Sequence, residues 1–423
     1  MGDGRIIVIG GGAAGMLAAL YAARAGARVL LLERNEKLGK KLYITGKGRC
    51  NLTNNADMEQ FQRNIFRNPR FMYAAFALLD NQGMMELIEN QGVPLKVERG
   101  NRVFPQSDKS SDIIGALKRA LDHAGVEVRL NTRVASLLIE GDACRGVRLE
   151  NEECVRAEAV VLATGGLSYP STGSTGDGHR MAESAGHGIS KPLPALVPVE
   201  TTESWPGMLS GLSLRNVRLS AYVRGPKKEK RIYSELGEML FTHFGISGPL
   251  VLTLSSLLPE DLDDVRLEID LKPALDEQTL DARLLRDFKE MSRKQLITVM
   301  DGLAPHSLAE QLLRLAGMSA AQPVNSVTGE QRAALRQVLK ALPLHPKKLR
   351  GFEEAIITRG GVSVKDVNPS TLESKKVPGL YLAGELLDVD ATTGGFNLQI
   401  AFSTGALAGQ SAAASVIGDP AEI

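Results

Sequence analysis

The chain has 423 residues, more than one hydrophobic core usually serves, so two or three domains are expected. Lysine and arginine number 50 and aspartate and glutamate 49, so a net charge of +1 supplies no global field for nucleic acid or an anionic membrane. The three cysteines form no CxxC pair, which excludes a disulfide framework, a vicinal redox pair and a cysteine–histidine metal site. We therefore expect a cytoplasmic protein that acts on a small molecule and has no metal, nucleic acid or membrane partner.

The first 33 residues predict a strand, a turn and a helix, followed by a second strand. Arg5 to Ile9 is a short β-branched run typical of a buried parallel strand. Ala13 to Ala25 predicts a helix and Arg28 to Glu33 the second strand. Residues 6–23 carry no charge, but the glycines at 10–12 interrupt them, so we interpret this stretch as a βαβ unit rather than a membrane span.

The middle of the chain changes character twice. A helix at Asp112 to Ala124 precedes strands at Val126 to Leu130 and Ala159 to Ala163. Residues 193–271 contain short alternating runs that predict antiparallel β structure. We interpret the basic run Lys227 to Arg231 within them as a solvated loop.

Residues 276–342 have a charged, helical pattern. From about Ile356 the α/β pattern returns, with a strand at Gly379 to Ala383 and a helix at Leu398 to Ala414. The order of these patterns predicts one α/β domain built from both ends of the chain and interrupted by a β domain with a helical insertion.

A glycine-rich turn joins the first strand to the first helix. Gly10, Gly12 and Gly15 match the GxGxxG pattern, which in this context lets a pyrophosphate approach the helix N terminus. Glu33 ends the second strand, where an acid accepts hydrogen bonds from a ribose 2′-hydroxyl. The pattern therefore predicts that a dinucleotide binds along Gly10 to Gly15, Ala13 and Ala14 included.

Three later segments favour FAD over NAD as that dinucleotide. The first is a basic, glycine-rich loop from Gly39 to Asn51, and the second is Thr164-Gly165 at a strand end. The third, from Gly384 through Gly394-Gly395 to Gln399, supplies a second helix N terminus, which would stabilise the negative charge of a reduced flavin. Because no second GxGxxG is found, a dedicated NAD domain is not expected, and NAD(P)H is expected only as a transient reductant.

These segments resemble the bacterial family of FAD-binding oxidoreductases that includes aminoacetone oxidase and the BaiN-type bile-acid Δ4,6-reductase. The resemblance covers nearly the whole chain, and its most specific parts are residues 46–54, 163–187, 240–249 and 383–405. It implies a Rossmann-like FAD domain at 1–192 and 356–423. It further implies a β-barrel-like domain at 193–275 and 343–355, and a helical insertion at 276–342.

The resemblance and the glycine motifs together nominate the cofactor-binding residues. Two positions depart from the family, because Phe396 stands where Tyr is usual and Thr45 where Ser is common. The nominated residues are Gly10, Gly12, Ala13, Ala14, Gly15, Glu33, Arg34, Lys40, Lys41, Thr45, Gly46, Gly48, Arg49, Asn51, Val134, Thr164, Gly165, Gly384, Glu385, Gly395, Phe396, Asn397 and Gln399.

A few single residues allow more than one interpretation. His243 is our candidate general acid, although a structural role also fits it. For Cys50 we favour packing over redox chemistry, since no second cysteine follows closely. Asp388 and Asp390 could cap a helix or bind ribitol hydroxyls, and Gly173 to Gly178 could be a ligand loop or a structural turn.

Together these features predict an FAD-dependent oxidoreductase that transfers hydride through the flavin. The family resemblance leaves two reactions open, reduction of a ring enone or ketone and oxidation of a small amine. The alternatives are a flavin-containing RNA-binding or RNA-modifying protein and a regulatory flavoprotein without turnover. Near-zero charge and an aromatic content of 4% argue against the RNA alternative.

Overall fold

The structure is a computed structural model that describes residues 4–417. The chain divides into two compact units. The first unit combines the segment up to Ala195 with the segment from Phe352 onward, and the second unit is Leu196–Gly351. The boundaries expected from the sequence are 192/193 and 355/356.

The helices and strands follow in chain order. The first part of the first unit contains β1 Arg5–Ile9, α1 Ala13–Arg24, β2 Arg28–Leu32, α2 Lys40–Ile44, β3 Thr53–Asn54, α3 Met58–Asn64, α4 Tyr73–Leu78, α5 Asn81–Glu89, β4 Leu95–Glu98, β5 Arg102–Pro105, α6 Ser110–His123, β6 Glu127–Arg129, β7 Val134–Glu140, β8 Ala143–Leu149, β9 Cys154–Arg156, β10 Ala159–Leu162, α7 Asp177–Ser184 and β11 Ile189–Ala195. The second unit contains β12 Val199–Thr201, α8 Trp205–Met208, β13 Ser213–Arg224, β14 Glu229–Thr242, β15 Gly245–Ser247, α9 Pro249–Ser255, β16 Val265–Asp270, α10 Glu277–Glu290, α11 Leu296–Met300, α12 His306–Leu315, α13 Gly329–Lys340, β17 Leu342–Leu344 and β18 Pro346–Leu349. The first unit resumes with β19 Ile357–Val362, β20 Leu380–Leu382 and α14 Phe396–Ile417.

A parallel five-stranded sheet forms the centre of the first unit, in the order β20-β10-β1-β2-β6. All of its pairings are parallel, and β1 lies between β10 and β2 with Ile6 opposite both Ala159 and Val29. Ile7 and Val8 are fully buried, as a β-branched run between two parallel neighbours requires. The C-terminal strand β20 extends this sheet by pairing Leu382 with Leu162, so segments from both ends of the chain share one sheet.

Helices α1 and α14 pack unusually closely on this sheet. A Cβ atom on Gly405 would lie 2.1 Å from the Ala14 carbonyl oxygen, and one on Gly409 would lie 2.0 Å from that of Ala18. Glycine at these two positions therefore lets the backbones touch. Among the described residues, α14 is the one helix long and apolar enough to cross a membrane, but 67% of its most hydrophobic stretch is buried, which is typical of a core helix.

Three small antiparallel sheets surround the central sheet of the first unit. Their orders are β7-β8-β9, β3-β5-β4 and β11-β19. In the last of these, Ala195 pairs with Ile357, so the two segments that enter and leave the second unit run side by side.

The second unit has its own core and a seven-stranded sheet in the order β17-β16-β13-β14-β15-β12-β18. Its pairings are antiparallel, and α10 to α13 occupy the region expected to be helical. Lys227 and Lys228 are exposed in the turn of the β13–β14 hairpin, as expected for a solvated loop. Lys230 and Arg231 are exposed too, but they belong to β14 and pair with β13, so the loop is shorter than the sequence predicted. Within residues 196–351, all of which the structure describes, no ladder joins the edge strands β17 and β18, so a barrel-like closure stays a prediction.

Candidate functional site

A deep cleft lies wholly in the first unit, at the carboxyl ends of the parallel strands. It encloses about 1400 Å³ of space open to solvent. Its walls come from the turn after β1, the ends of β2 and β10, helix α2, the start of β7, the 172–177 loop and the first turns of α14. The carboxyl edge of such a sheet is the usual ligand position in open α/β folds.

The turn after β1 presents bare backbone to the cleft. Gly10 has a φ of +103°, and a Cβ there would lie 2.6 Å from the Ala163 carbonyl oxygen. At Gly12, the N-cap of α1, a Cβ would meet nothing within 4 Å, and no side chain caps the helix. Gly15 packs so closely that a Cβ would lie 1.7 Å from the Gly10 oxygen. The uncapped N terminus of α1 therefore faces open space that suits an anion.

Glu33 follows β2 and holds this turn in place. Its Oε2 accepts a hydrogen bond from the Gly11 N–H at 2.6 Å. Its Oε1 accepts from the backbone N–H and the side-chain amide of Asn35, at 2.8 and 2.7 Å. The side chain is buried but lines the cleft. A carboxylate oxygen has two lone pairs, so Oε2 can accept a second hydrogen bond from a ligand hydroxyl.

Three arginines converge on Asp177, the first residue of α7. Arg34 donates to its Oδ2 at 3.0 Å and to the Thr175 hydroxyl at 2.7 Å. Arg133 lies 3.3 Å from the same oxygen, and Arg180 is bound to Oδ1. Arg34, Arg133 and Asp177 line the cleft on the side of Glu33, so this end of the cleft is rich in cations.

A second charged network crosses the cleft wall farther along. Lys41 on α2 donates to Glu385 at 2.6 Å and to the Ser168 hydroxyl at 2.5 Å. The other oxygen of Glu385 accepts from Ser168 and from the Thr358 N–H, at 2.8 and 2.9 Å. Burial alone would raise the pKa of Glu385, but the adjacent Lys41 ammonium and these hydrogen bonds hold the pKa below its ordinary value. The pair joins residues 344 positions apart in the sequence.

After the end of β10, the Thr164 hydroxyl is buried without a hydrogen-bond partner among the described residues. Its Oγ1 lines the cleft. Gly178 packs against it so tightly that a Cβ would lie 1.9 Å from this oxygen. Gly165 follows with a φ of +74°, a conformation that favours glycine. A buried hydroxyl without a partner at a cleft wall suits a polar ligand atom.

At the start of α14, the side-chain amide of Asn397 forms part of the cleft wall. The Asn397 side chain accepts from the Ala391 N–H and donates to the Ala391 and Thr392 carbonyls, all at 2.9 or 3.0 Å. It therefore fixes the loop ahead of the helix. A Cβ on Gly395 would lie 2.3 Å from the Thr53 carbonyl group, so this helix start also needs glycine.

The structure brings fourteen of the nominated residues together at the cleft. They are Gly10, Gly12, Ala13, Ala14, Glu33, Arg34, Lys40, Lys41, Thr45, Val134, Thr164, Gly165, Glu385 and Asn397. The other nine do not line it in this structure, and their contact with the cofactor stays a prediction. They are Gly15, Gly46, Gly48, Arg49, Asn51, Gly384, Gly395, Phe396 and Gln399.

Packing explains why several of these nine point elsewhere. Arg49 forms ion pairs with Glu98 and Asp108, at 2.5 and 2.8 Å, and its guanidinium stacks 4.0 Å from the Phe104 ring centroid. Phe396 is buried against the ring of Phe61.

Gln399 is fully buried and bonds to the Thr53 hydroxyl at 2.7 Å. The Asn51 amide lies between the Thr53 carbonyl and the Gly395 N–H. Cys50 is fully buried, and burial raises its pKa to about 12, which favours the packing role expected for it.

Two further residues bear on the sequence predictions. The sequence motifs did not single out Asp177. It lies in the 173–178 segment, whose role the sequence left open. Its place as the first residue of a helix, directly after Gly176, is the feature of the sequence that could have pointed to it. His243 belongs to the second unit, where it is exposed between β14 and β15 with its ring 4.9 Å from that of Phe244. It does not line the described cleft, and its catalytic role stays a prediction.

Comparison with known proteins identifies the family. A model of the HI0933-like protein Rossmann domain matches residues 4–411. The chain is 32% identical over 422 residues to a 3-dehydro-bile acid delta(4,6)-reductase of Clostridium scindens, which covers 97% of this chain and 99% of that protein. It is 31% identical over 406 residues to a ribosomal RNA dihydrouridine synthase of Haemophilus influenzae, covering 94% of this chain and 96% of that protein.

A solved structure adds evidence on the fold alone. An Escherichia coli quinol fumarate reductase matches with a TM-score of 0.51 at 17% identity, covering 99% of this chain and 72% of that chain. The family resemblance inferred from the sequence motifs is thereby confirmed by the family match and the whole-length relatives. The chain belongs to the HI0933-like family of Rossmann-fold, FAD-dependent oxidoreductases.

Proposed function

We propose that the protein is an FAD-dependent reductase that saturates a carbon–carbon double bond conjugated to a ring carbonyl. The observation that carries this proposal is that two whole-length relatives, named for different substrates, share this reaction type. A Δ4,6 bile acid with a 3-oxo group contains such an enone, and dihydrouridine differs from uridine by saturation of the ring bond next to a carbonyl. Each reaction adds a hydride to one carbon and a proton to its neighbour.

The residues at the cleft fit an extended FAD. The uncapped N terminus of α1 at Gly12 would hold the pyrophosphate, and the free lone pair on Glu33 would accept an adenosine ribose hydroxyl. The Thr164 hydroxyl follows β10, on the side of β1 away from β2, and would bond to the cofactor beyond the pyrophosphate. When bound, FAD accepts a hydride from a reductant and delivers it to an organic substrate.

At the other end of the cleft, the chain's own residues would orient the redox group. Lys41 holds a positive charge at the wall, because Glu385 and Ser168 fix its ammonium group. Asn397 keeps the loop before α14 in one shape. Because Glu385 balances the charge of Lys41, the rigid N terminus of α14 is the group that favours negative charge in the ring system held there.

NAD(P)H is the proposed electron donor. One GxGxxG turn is found, and FAD would occupy it, so the donor and the organic substrate would use the same exposed flavin face in turn. We therefore expect ping-pong kinetics, with parallel double-reciprocal lines over a grid of both substrates. Intersecting lines together with a detected ternary complex would contradict this scheme.

The deciding experiment uses dithionite-reduced holoenzyme without oxygen. A 4-en-3-one bile acid, a uridine-containing RNA fragment and a control steroid lacking the double bond are each mixed with it, and the reappearance of oxidised-flavin absorbance is followed. We expect fast reoxidation by an enone and none by the control. If no enone reoxidises the flavin, while aminoacetone reduces the oxidised enzyme, the amine oxidase alternative replaces this proposal.

A second candidate function, reduction of uracil in RNA, is favoured by the Haemophilus influenzae relative. It uses the same hydride chemistry on a different substrate class. Faster reoxidation by the RNA fragment than by any free enone would establish it. Absence of nucleic acid, absence of a membrane partner and a cytoplasmic location stay predictions.

The proposed reaction also requires a proton donor. His243 remains our candidate, and His243→Ala should lower turnover at least ten-fold while FAD affinity stays unchanged, since general acids contribute roughly 100-fold or more. His306→Ala, which also removes an exposed histidine of the second unit, is the matched control. Full turnover of the His243 variant would return this residue to a structural role.

A further inference from the structure

We propose that the Asp390 carboxylate takes up a proton from solvent when the bound flavin is reduced and releases it when the flavin is reoxidised. The inference rests on the FAD site proposed above, and it gives Asp390 a role that neither the sequence motifs nor the named relatives indicate. All the residues that carry it belong to the first unit of the chain.

Asp390 is a buried carboxylate without a hydrogen-bond partner. The residue is 1% exposed, and neither of its side-chain oxygens makes a hydrogen bond within the described residues. It therefore caps no helix, which was one of the two roles considered from the sequence. Its ion pair with Arg67 is long, with 3.4 Å between Nε and Oδ1. So weak a set of partners leaves the charged form poorly compensated for the loss of water, and a proton competes for the carboxylate.

The charged groups that face Asp390 come from three segments. Arg67 lies between α3 and α4, Arg359 lies on β19, and Asp388 belongs to the same loop as Asp390. Burial is the largest effect and raises the pKa of Asp390 to about 6, although Arg67 opposes it. Asp388 adds to the rise and Arg359 reduces it. A modest change of charge nearby is therefore enough to change the protonation of Asp390 close to neutral pH.

Asp390 lies next to the cleft wall at the start of α14. Its neighbour Val389 lines the cleft, and so does Asn397, which accepts a hydrogen bond from the Ala391 N–H at 2.9 Å. The Phe66 N–H donates to the Asp390 carbonyl at 2.8 Å, which ties this loop to the segment after α3 and keeps the carboxylate in place. A negative charge added at this part of the cleft would act on Asp390 through the protein interior, where screening by salt is weak.

One proton balances the charge that reduction adds. A hydride from NAD(P)H brings two electrons and one proton nucleus to the flavin, so the cleft gains one negative charge. The Asp390 carboxylate binds one proton from solvent and becomes a neutral carboxyl group. When the hydride passes to the organic substrate, that charge leaves the flavin and the Asp390 proton returns to solvent. The side chains of Arg67 and Asp388 are 36% and 15% exposed, so this exchange with water need not pass through the cleft.

The test counts the protons taken up per two electrons when holoenzyme is reduced electrochemically without an organic substrate. The count comes from the pH dependence of the flavin midpoint potential. Near a pH of about 6.5, wild type should take up about half a proton more than Asp390→Asn, if reduction raises the pKa of this carboxyl by about one unit. Asp366→Asn is the matched control, because it removes an acid that pairs with Lys376 and does not line the cleft. Its count should equal that of wild type.

Two further measurements separate proton uptake from structural damage. Reduced-minus-oxidised infrared difference spectra should contain a carboxylic acid C=O band in wild type that is missing in Asp390→Asn. Arg67→Gln removes a facing positive charge and should move the pH range of the extra uptake upward, whereas Arg67→Lys should largely restore it. Asp388→Asn removes a like charge and should move that range downward.

Equal proton counts for wild type and Asp390→Asn at every pH would overturn the proposal, as would an infrared band that persists in Asp390→Asn. If Asp390→Asn did not bind FAD, the Arg67→Gln and Asp388→Asn variants would decide, and anything other than opposite shifts would refute the proposal. Uptake by a holoenzyme that no enone reoxidises would refute the proposed reaction alone. Enone turnover with equal proton counts would refute the role of Asp390 alone.

Discussion

The close approach of α14 to α1 yields a quantitative prediction at Gly409. Replacing this glycine with alanine places a Cβ 2.0 Å from the Ala18 carbonyl oxygen, 2.7 Å from the carbonyl carbon and 2.8 Å from Cα. All three atoms are backbone, so no flexible side chain can move aside. The helices must separate or the new methyl group must remain strained.

The expected loss of stability follows from two opposing terms. Overpacking of a well-filled core costs about 1–3 kcal/mol, and contact with rigid backbone places this site at the upper end. Against this cost, alanine in a helix interior is about 1 kcal/mol more favourable than glycine. The net loss should therefore be about 2 kcal/mol for Gly409→Ala.

Equilibrium urea unfolding followed by far-ultraviolet circular dichroism measures this loss. Gly329→Ala is the matched control, because that glycine starts α13 and a Cβ there would meet nothing within 4 Å. The control should be as stable as wild type or slightly more stable. If Gly409→Ala lost no more stability than Gly329→Ala, backbone contact would not explain the glycine spacing in α14.

Three other predictions concern charged residues of the first unit. Glu33→Ala should weaken FAD binding by about 1–3 kcal/mol in a titration of the apo-protein, because the carboxylate also holds the Gly11 N–H. Glu385→Gln should lower the free energy of unfolding by about 2 kcal/mol at neutral pH. The folded-state pKa of Glu385 is lowered, so the difference in unfolding free energy between wild type and Glu385→Gln should be complete above a pH of about 4 and disappear on further acidification. Denaturation at several pH values measures this difference. Burial raises the pKa of Asp390 to about 6, although Arg67 opposes the shift, so this residue makes the folded state lose stability as the pH rises from about 4 to about 6. The melting temperature of Asp390→Asn should therefore fall less than that of wild type across this interval, and parallel profiles would contradict the assignment.

The amino-acid sequence alone predicted the βαβ unit, the return of the α/β pattern near Ile356 and the chemistry of the turn at Gly10 to Gly15. These features depend on short-range physics. The spacing of apolar residues along a segment follows from which of its faces is buried. Glycine stands at position 10 because the backbone there has a positive φ that other residues avoid. The acid at Glu33 was found for the same reason, since its distance along the chain from the turn is fixed by one helix and one strand.

Only the tertiary structure decided which side chains reach the cleft. Arg49 and Gln399 lie in family motifs, yet one turns toward two acids and the other into the core, because their nearest partners come from distant segments. Asp177 meets Arg34 from 143 positions away, and Lys41 meets Glu385 across nearly the whole chain. Such pairings depend on how the packed layers bring separate loops together, and no local pattern of residues encodes that juxtaposition.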